Sequence, residues 1–201
     1  MSYVVAVCGP TGGGKSALVK GLVGALGDAS AIHMDSYERM TRAPVRDVLR
    51  WAERGADVEQ LEVPLLAEHL GQLRRGQSVL EPGRRAPIEP RKYIVFETHF
   101  GRVHKATGEQ IDLLIWIDTP LEVALARKLK AFTGEALHGE AGREQLAWLD
   151  AYLANYLALV RGLMQLQAAR VRPQADLVLD GSGELAPIVR EAQRRVLERL
   201  P

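Results

Sequence analysis

The chain has one asparagine, Asn155, one cysteine, Cys8, and aromatic residues at only 5% of its 201 positions. A single asparagine set in a helical pattern cannot form the N-K-x-D motif that reads guanine, which argues against a signalling GTPase. A lone cysteine allows no disulfide within the chain, and Cys8 ends an apolar run where a small buried residue is expected. With no signal-peptide pattern and no apolar run long enough to span a bilayer, the expected setting is cytoplasmic, without a membrane partner. Charge is balanced as well. Lys plus Arg total 26 against 25 Asp plus Glu, a formal net charge of +1, so nothing in the composition calls for nucleic acid. His33, His69, His104 and His138 share no metal-ligand spacing, so zinc is not expected. Asp118 is followed by Thr119, and Glu97 by Thr98 and His99; neither offers the acidic pair with which many ATPases orient water.

What the chain does have is 47% hydrophobic residues, enough to bury a core, and a length that favours one domain over residues 1–201. Buried parallel strands are expected at Tyr3–Cys8, Ala31–Met34, Tyr93–Phe96, Leu113–Ile117 and Leu177–Leu179. Helical patterns separate them: Lys15–Leu26, Arg42–Arg54, Gln60–Arg75, a helix capped by Thr119 that runs to about Phe132, and a last one over Glu184–Leu200. A long helix carries Leu146, Leu149, Leu153, Tyr156, Leu157, Val160, Leu163 and Met164 as one apolar stripe, and Thr133–Gly142 reads as a mobile loop before it. Trp51, Trp116 and Trp148 are expected to pack rather than to stack on a ligand. Strands alternating with helices give an α/β fold, a five-stranded parallel sheet covered on both faces.

Gly9-Pro10-Thr11-Gly12-Gly13-Gly14-Lys15-Ser16 lies between the first strand and the first helix and fits G-x-x-x-x-G-K-S. Such a loop turns backbone N–H groups inward around phosphates, while the lysine reaches the β/γ oxygens and the serine hydroxyl can hold Mg²⁺. The candidate nucleotide-binding residues are therefore Gly9, Thr11, Gly12, Gly13, Gly14, Lys15, Ser16 and Ala17, with ATP and Mg²⁺ as cofactors. With the GTPase and the hydrolytic ATPase disfavoured, transfer of a phosphoryl group to a small molecule remains. Asp35, in His33-Met34-Asp35-Ser36-Tyr37-Glu38-Arg39, follows the second strand at the sheet edge where such folds bind ligands, and can accept a hydroxyl proton there. His99 and Arg102, just past Glu97, are candidates for the acceptor pocket, and Arg84 with Arg85 could receive an anionic group.

The phosphate loop, Asp35-Ser36-Tyr37, Phe96-Glu97, Ile117-Asp118 and Ala175-Asp176-Leu177-Val178-Leu179, in that order, resemble the uridine kinase and phosphoribulokinase-like branch of the P-loop kinases. The resemblance implies a P-loop NTPase fold with a small helical lid around residues 127–143. It implies Asp35 as catalytic base and Mg²⁺-shell carboxylate, Tyr37 on the substrate side, and Glu97 near Mg²⁺ or the substrate, although Thr98 stands where the family has glycine. Arg127 and Lys130 have the spacing of the family's lid arginines, with Arg143 a later member. The catalytic set is then Lys15, Asp35, Arg127 and Lys130, and the metal set Ser16, Asp35 and Glu97. The family's base-reading hairpin is replaced by Leu80–Lys92, which holds neither histidine nor an aromatic. The implied activity is transfer of the γ-phosphate of ATP to a hydroxyl of a small molecule. A kinase for a sugar, vitamin or antibiotic hydroxyl, or a nucleotide-dependent switch or chaperone with a protein partner, are the alternatives. The chain could also work as a homodimer.

Overall fold

A computed structural model of the protein describes residues 1–38, 45–61, 63–137 and 142–199. Five strands, β1 (Tyr3–Cys8), β2 (Ala29–His33), β3 (Tyr93–Glu97), β4 (Leu113–Asp118) and β5 (Leu177–Asp180), form one parallel sheet in the order β2-β3-β1-β4-β5. Strand pleating divides β1 between two cores. Val4, Ala6 and Cys8 face one side, Val5 and Val7 the other, and all are fully buried. The first core is completed by α3 (Pro64–Arg74) and by Val171 at the end of α7 (Arg161–Val171). The second is closed by α1 (Lys15–Leu26) and α8 (Leu185–Glu198), which pack on each other. Among the described residues no helix is long and apolar enough to cross a membrane.

The remaining helices are α2 (Val45–Glu53), the short α4 (Lys105–Gly108), α5 (Leu121–Leu137) and α6 (Arg143–Asn155). Residues 42–44 and 200, at the ends of two expected helices, lie outside the described residues, as do Arg39 and His138. The helix expected from Gln60 begins only at Pro64, because proline has no N–H to donate and is tolerated only in a first turn. Asp57 instead accepts the Glu59 amide at 3.1 Å and caps a separate turn, Val58–Gln60. Thr133–Leu137 is helical rather than loop. Beside it Phe132 of α5 stacks on Trp148 of α6 with ring centroids 4.2 Å apart, and Trp148 stacks in turn on Tyr152.

Thr119 does not cap α5. The Pro120 carbonyl accepts the Ala124 amide, and the Thr119 hydroxyl donates to the Gly13 carbonyl at 2.9 Å, tying this turn to the phosphate loop. The long apolar stripe also breaks. Between α6 and α7 the helix widens at Tyr156–Val160 into a π turn. One added residue rotates the helix face by about 100°. Across this turn Tyr156 and Leu159 are buried while Leu157 stands in solvent, and Leu146, ahead of the turn on α6, is exposed as well.

At the amino edge of the sheet, aspartates fix the strand starts. Asp112 accepts the Val4 amide at 2.7 Å and pairs with Arg74. Asp176 accepts the Leu114 amide at 2.8 Å, Arg102 at 2.7 Å and Arg199 at 2.9 Å. Burial would push the Asp176 carboxyl up, but these three donors outweigh it and leave the group below its usual value. Its contribution to stability is therefore complete above the ordinary aspartate pKa and disappears as pH falls through the lower folded value. We expect Asp176→Asn to cost roughly 1–3 kcal/mol at neutral pH, because the Leu114 amide loses a charged partner. Urea unfolding should also show a shallower loss of stability below about pH 4 than in the parent protein; an unchanged acid limb would refute this account.

Candidate active site

The carboxyl edge gathers the chemistry. At Gly12 φ is +80°, and a Cβ built there would lie 2.3 Å from the Ala124 carbonyl oxygen, so a side chain would displace the loop from the start of α5. The Gly13 amide donates to the Pro10 carbonyl, and Gly14 precedes α1 at φ +100°. Lys15 is only 6% exposed, and its Nζ donates to the carbonyls of Gly9 and Pro10 at 3.2 Å each. Burial pushes the Lys15 ammonium down in pKa, while the Glu97 and Asp35 carboxylates oppose that shift. Thr11 and Ala17, on the same loop and the first turn of α1, are exposed.

Ser16 donates its hydroxyl to Glu97 Oε1 at 2.9 Å, and His33 Nδ1 lies 2.9 Å from Glu97 Oε2. Glu97 is itself buried. Burial would raise its pKa, yet the His33 and Ser16 hydrogen bonds and the Lys15 charge leave it lowered. The hydrogen bond to Glu97 raises His33. His33 is a site residue that spacing arguments missed, although strand register carries the signal: His33 and Glu97 are direct partners on adjacent strands. Asp35, on the turn after β2, meets His99 Nε2 at 2.6 Å, and this hydrogen bond holds its carboxyl below the ordinary aspartate value. The Asp35 side chain is still 65% exposed, so it can reach a ligand.

Other expected site residues sit elsewhere. Arg102 is a correction: its guanidinium runs to the amino edge, onto Asp176 and the Gln174 carbonyl, where it cannot line an acceptor pocket at the carboxyl edge. Tyr37 turns toward α3, its hydroxyl 2.8 Å from His69 Nδ1 and its ring packed against the core. Burial raises the pKa of that hydroxyl. Arg127 is no free lid arginine; it donates to the Gly181 and Ser182 carbonyls at 2.7 and 3.3 Å and clamps the turn after β5. Lys130 is exposed one turn further along α5, and Arg143 is exposed at the start of α6. Arg84 pairs with buried Glu81, whose Oε1 accepts the His33 amide. On the other side of Pro10 a cavity of about 510 Å³ is lined by Trp116, Asp118, Thr119, Met164, Ala168 and Asp180, with Arg172 held on Asp118.

The donors fit a magnesium nucleotide. Among the described residues no group of three or more His, Cys, Asp or Glu could hold a metal ion. A serine hydroxyl bonded to a carboxylate at the head of a phosphate loop is nonetheless the hard-oxygen set that Mg²⁺ takes when phosphates and water complete its shell.

No family model matches the chain. A uridine kinase of Halobacterium salinarum is 24% identical over 198 residues, covering 92% of this chain and 83% of that protein. The uridine kinase of Escherichia coli K12 is 25% identical over 130 residues, 60% of this chain and 57% of its own length. Among solved structures, a possible uridine kinase from Bacillus stearothermophilus superposes with a TM-score of 0.56 at 15% identity, covering 89% of each chain. Shikimate kinase from Acinetobacter baumannii in complex with shikimate gives a TM-score of 0.52 at 15% identity, over 100% of this chain and 97% of that one. The fold is that of the P-loop kinases. The chain is thus similar in sequence to curated uridine kinases and similar in fold to solved kinase structures.

The ion pair at the strand ends yields a direct expectation. His33, raised by Glu97, should titrate above the ordinary histidine value of about 6.5 in an NMR pH series. The stability it lends is complete below that ordinary value and is lost as pH rises through the folded one. Glu97→Gln should bring the His33 midpoint down, and a midpoint unmoved by that substitution would dissolve the pair.

Proposed function

We propose that the protein is a kinase that moves the γ-phosphate of ATP to a hydroxyl of a small molecule, with Mg²⁺. The observation that supports this most is the convergence at one sheet edge of buried Lys15, the Ser16–Glu97 pair and the exposed Asp35 held by His99. The curated relatives named as uridine kinases support the same class of reaction.

In this reading the loop amides and Lys15 bind the triphosphate, and Ser16 with Glu97 would hold Mg²⁺, which supplies charge neutralisation between phosphate oxygens. Asp35 orients the acceptor hydroxyl and takes its proton. A carboxyl held below its usual value is a weak base, which suits a loose transition state in which the proton leaves late. His99 fixes the Asp35 carboxylate and presents the acceptor side of the site. Arg127 would have to leave Gly181 and Ser182 to act on phosphates, so a lid built on α5 requires a rearrangement of this turn.

The acceptor is not expected to be a pyrimidine nucleoside. Between α3 and β3 only the Val79–Ile88 bridge forms, and Arg84 is already committed to Glu81, so this stretch offers little to read a base. Each unpaired polar group of a buried base costs about 1–3 kcal/mol.

A panel of nucleosides, sugars, vitamins and phosphorylated alcohols, scored by acceptor-dependent ADP release, tests both points. Some acceptor should release ADP, with uridine and cytidine poor. Uridine ranking first would overturn the specificity, and release with none of them the activity. Lys15→Ala should lose turnover and bind ATP more weakly, and, because the Gly9 and Pro10 carbonyls lose their donor, should also loosen the phosphate loop while the sheet stays folded. Asp35→Asn should bind ATP nearly normally while kcat falls by on the order of 10²–10⁴; a parental rate would reduce Asp35 to a turn residue.

A further inference from the structure

Gln167 projects from α7 toward two segments far from it in sequence. Its Nε2 donates to the His99 carbonyl at 2.7 Å and to the Gly9 carbonyl at 3.3 Å, and lies 3.9 Å from Cys8 Sγ. A side-chain amide nitrogen carries two hydrogens, and these two carbonyls take both. The acceptors belong to opposite halves of the site. The Gly9 carbonyl is one of the two that hold Lys15, and residue 99 carries the ring bonded to Asp35.

The support behind this amide is firm. Met164 and Val171 of α7 are buried, Arg170 donates to the Ala56 and Gly55 carbonyls at 2.8 Å, and Arg172 holds Asp118. A side chain fixed on such an element can set the distance between two loops. The Cys8 thiol beneath it is pushed up to about 12 by burial, so the amide faces a neutral sulfur.

We infer that Gln167 is a positioning residue: it holds the phosphate loop and the His99 backbone at a fixed separation, so that the hydroxyl oriented by Asp35 meets the phosphoryl group held at Lys15. The inference rests on the phosphotransfer reading for its catalytic consequence, and on the hydrogen bonds alone for its structural one. A carboxylate at this position would face two carbonyl oxygens without a proton to donate, and a hydrocarbon would leave the His99 carbonyl unpaired.

The test is Gln167→Leu, with Gln167→Asn, which keeps the amide but falls short by a methylene, as the second variant should the first not fold. Each should bind Mg·ATP with full stoichiometry and a KM for ATP near the parental one, while kcat falls by roughly 10- to 100-fold, the scale of a misplacement near 1 Å. Combined with His99→Ala, the loss should be clearly smaller than the product of the two single losses. Asp176→Ala, a destabilising control at the amino edge, should multiply with His99→Ala. Losses that multiply for Gln167 too, or an unchanged kcat, overturn the inference. Should the parent protein phosphorylate no acceptor, the kinase reading falls while hydrogen exchange still decides this one. Amides of Gly9, of residues 11–16 and of residues 99–102 should exchange faster in the variant with β4 unchanged, and unaltered exchange in either segment overturns it.

Discussion

A lysine ammonium held under its own loop is the constraint on which the rest of this structure depends. The burial of Lys15 is supported by the Gly9 and Pro10 carbonyls, which accept its hydrogen bonds, and by Glu97 and Asp35, which oppose in part the desolvation that lowers its pKa. Those carbonyls face inward only if the loop is wound tightly, which glycine allows at Gly12 and Gly14 with their positive φ. The winding in turn brings Gly12 against Ala124 and Gly13 against the Thr119 hydroxyl. A single buried charge thus fixes the contact between the phosphate loop, the end of β4 and the start of α5.

The rest of the carboxyl-edge cluster follows from strand register. Because β2 and β3 pair with His33 opposite Glu97, a histidine and a glutamate are delivered together at the carboxyl edge, and Ser16 completes the set from the first turn of α1. One residue of slip between β2 and β3 would turn His33 to the face opposite Glu97. Asp35 stands on the turn that ends β2, near enough for His99 to reach it from the loop after β3. Buried Lys15 and Glu97 each have partners, as low-dielectric surroundings require, while Asp35 is held by His99 at the surface.

Much of the fold was legible because parallel strands buried on both faces read as continuous apolar runs, and all five expected strands form within two residues of their expected ends. The phosphate loop was legible because its chemistry is local in sequence. What was hidden is non-local. Nothing in Thr119-Pro120-Leu121-Glu122 reveals that the threonine hydroxyl is claimed by Gly13 rather than by its own helix. Arg102 sits only five residues past Glu97, yet two aspartates before β4 and β5 make the amino edge acidic and draw it there. The apolar stripe of the long helix failed at Leu157 because a π turn inserts a residue into a pattern that assumes a constant pitch.

The two edges of the sheet use the same residue types for opposite ends. At the amino edge Asp112 and Asp176 are bound to backbone amides and to arginines, so their charge is spent inside the fold. At the carboxyl edge Asp35 binds one histidine and keeps most of its surface in solvent, and Ser16, exposed at the start of α1, donates to Glu97 and keeps its own lone pairs available. A carboxylate saturated by amides and guanidinium groups stabilises; one that is oriented but unsaturated still has binding capacity for a ligand. That difference in saturation, more than the presence of acidic residues, separates the scaffold of this protein from its reactive edge.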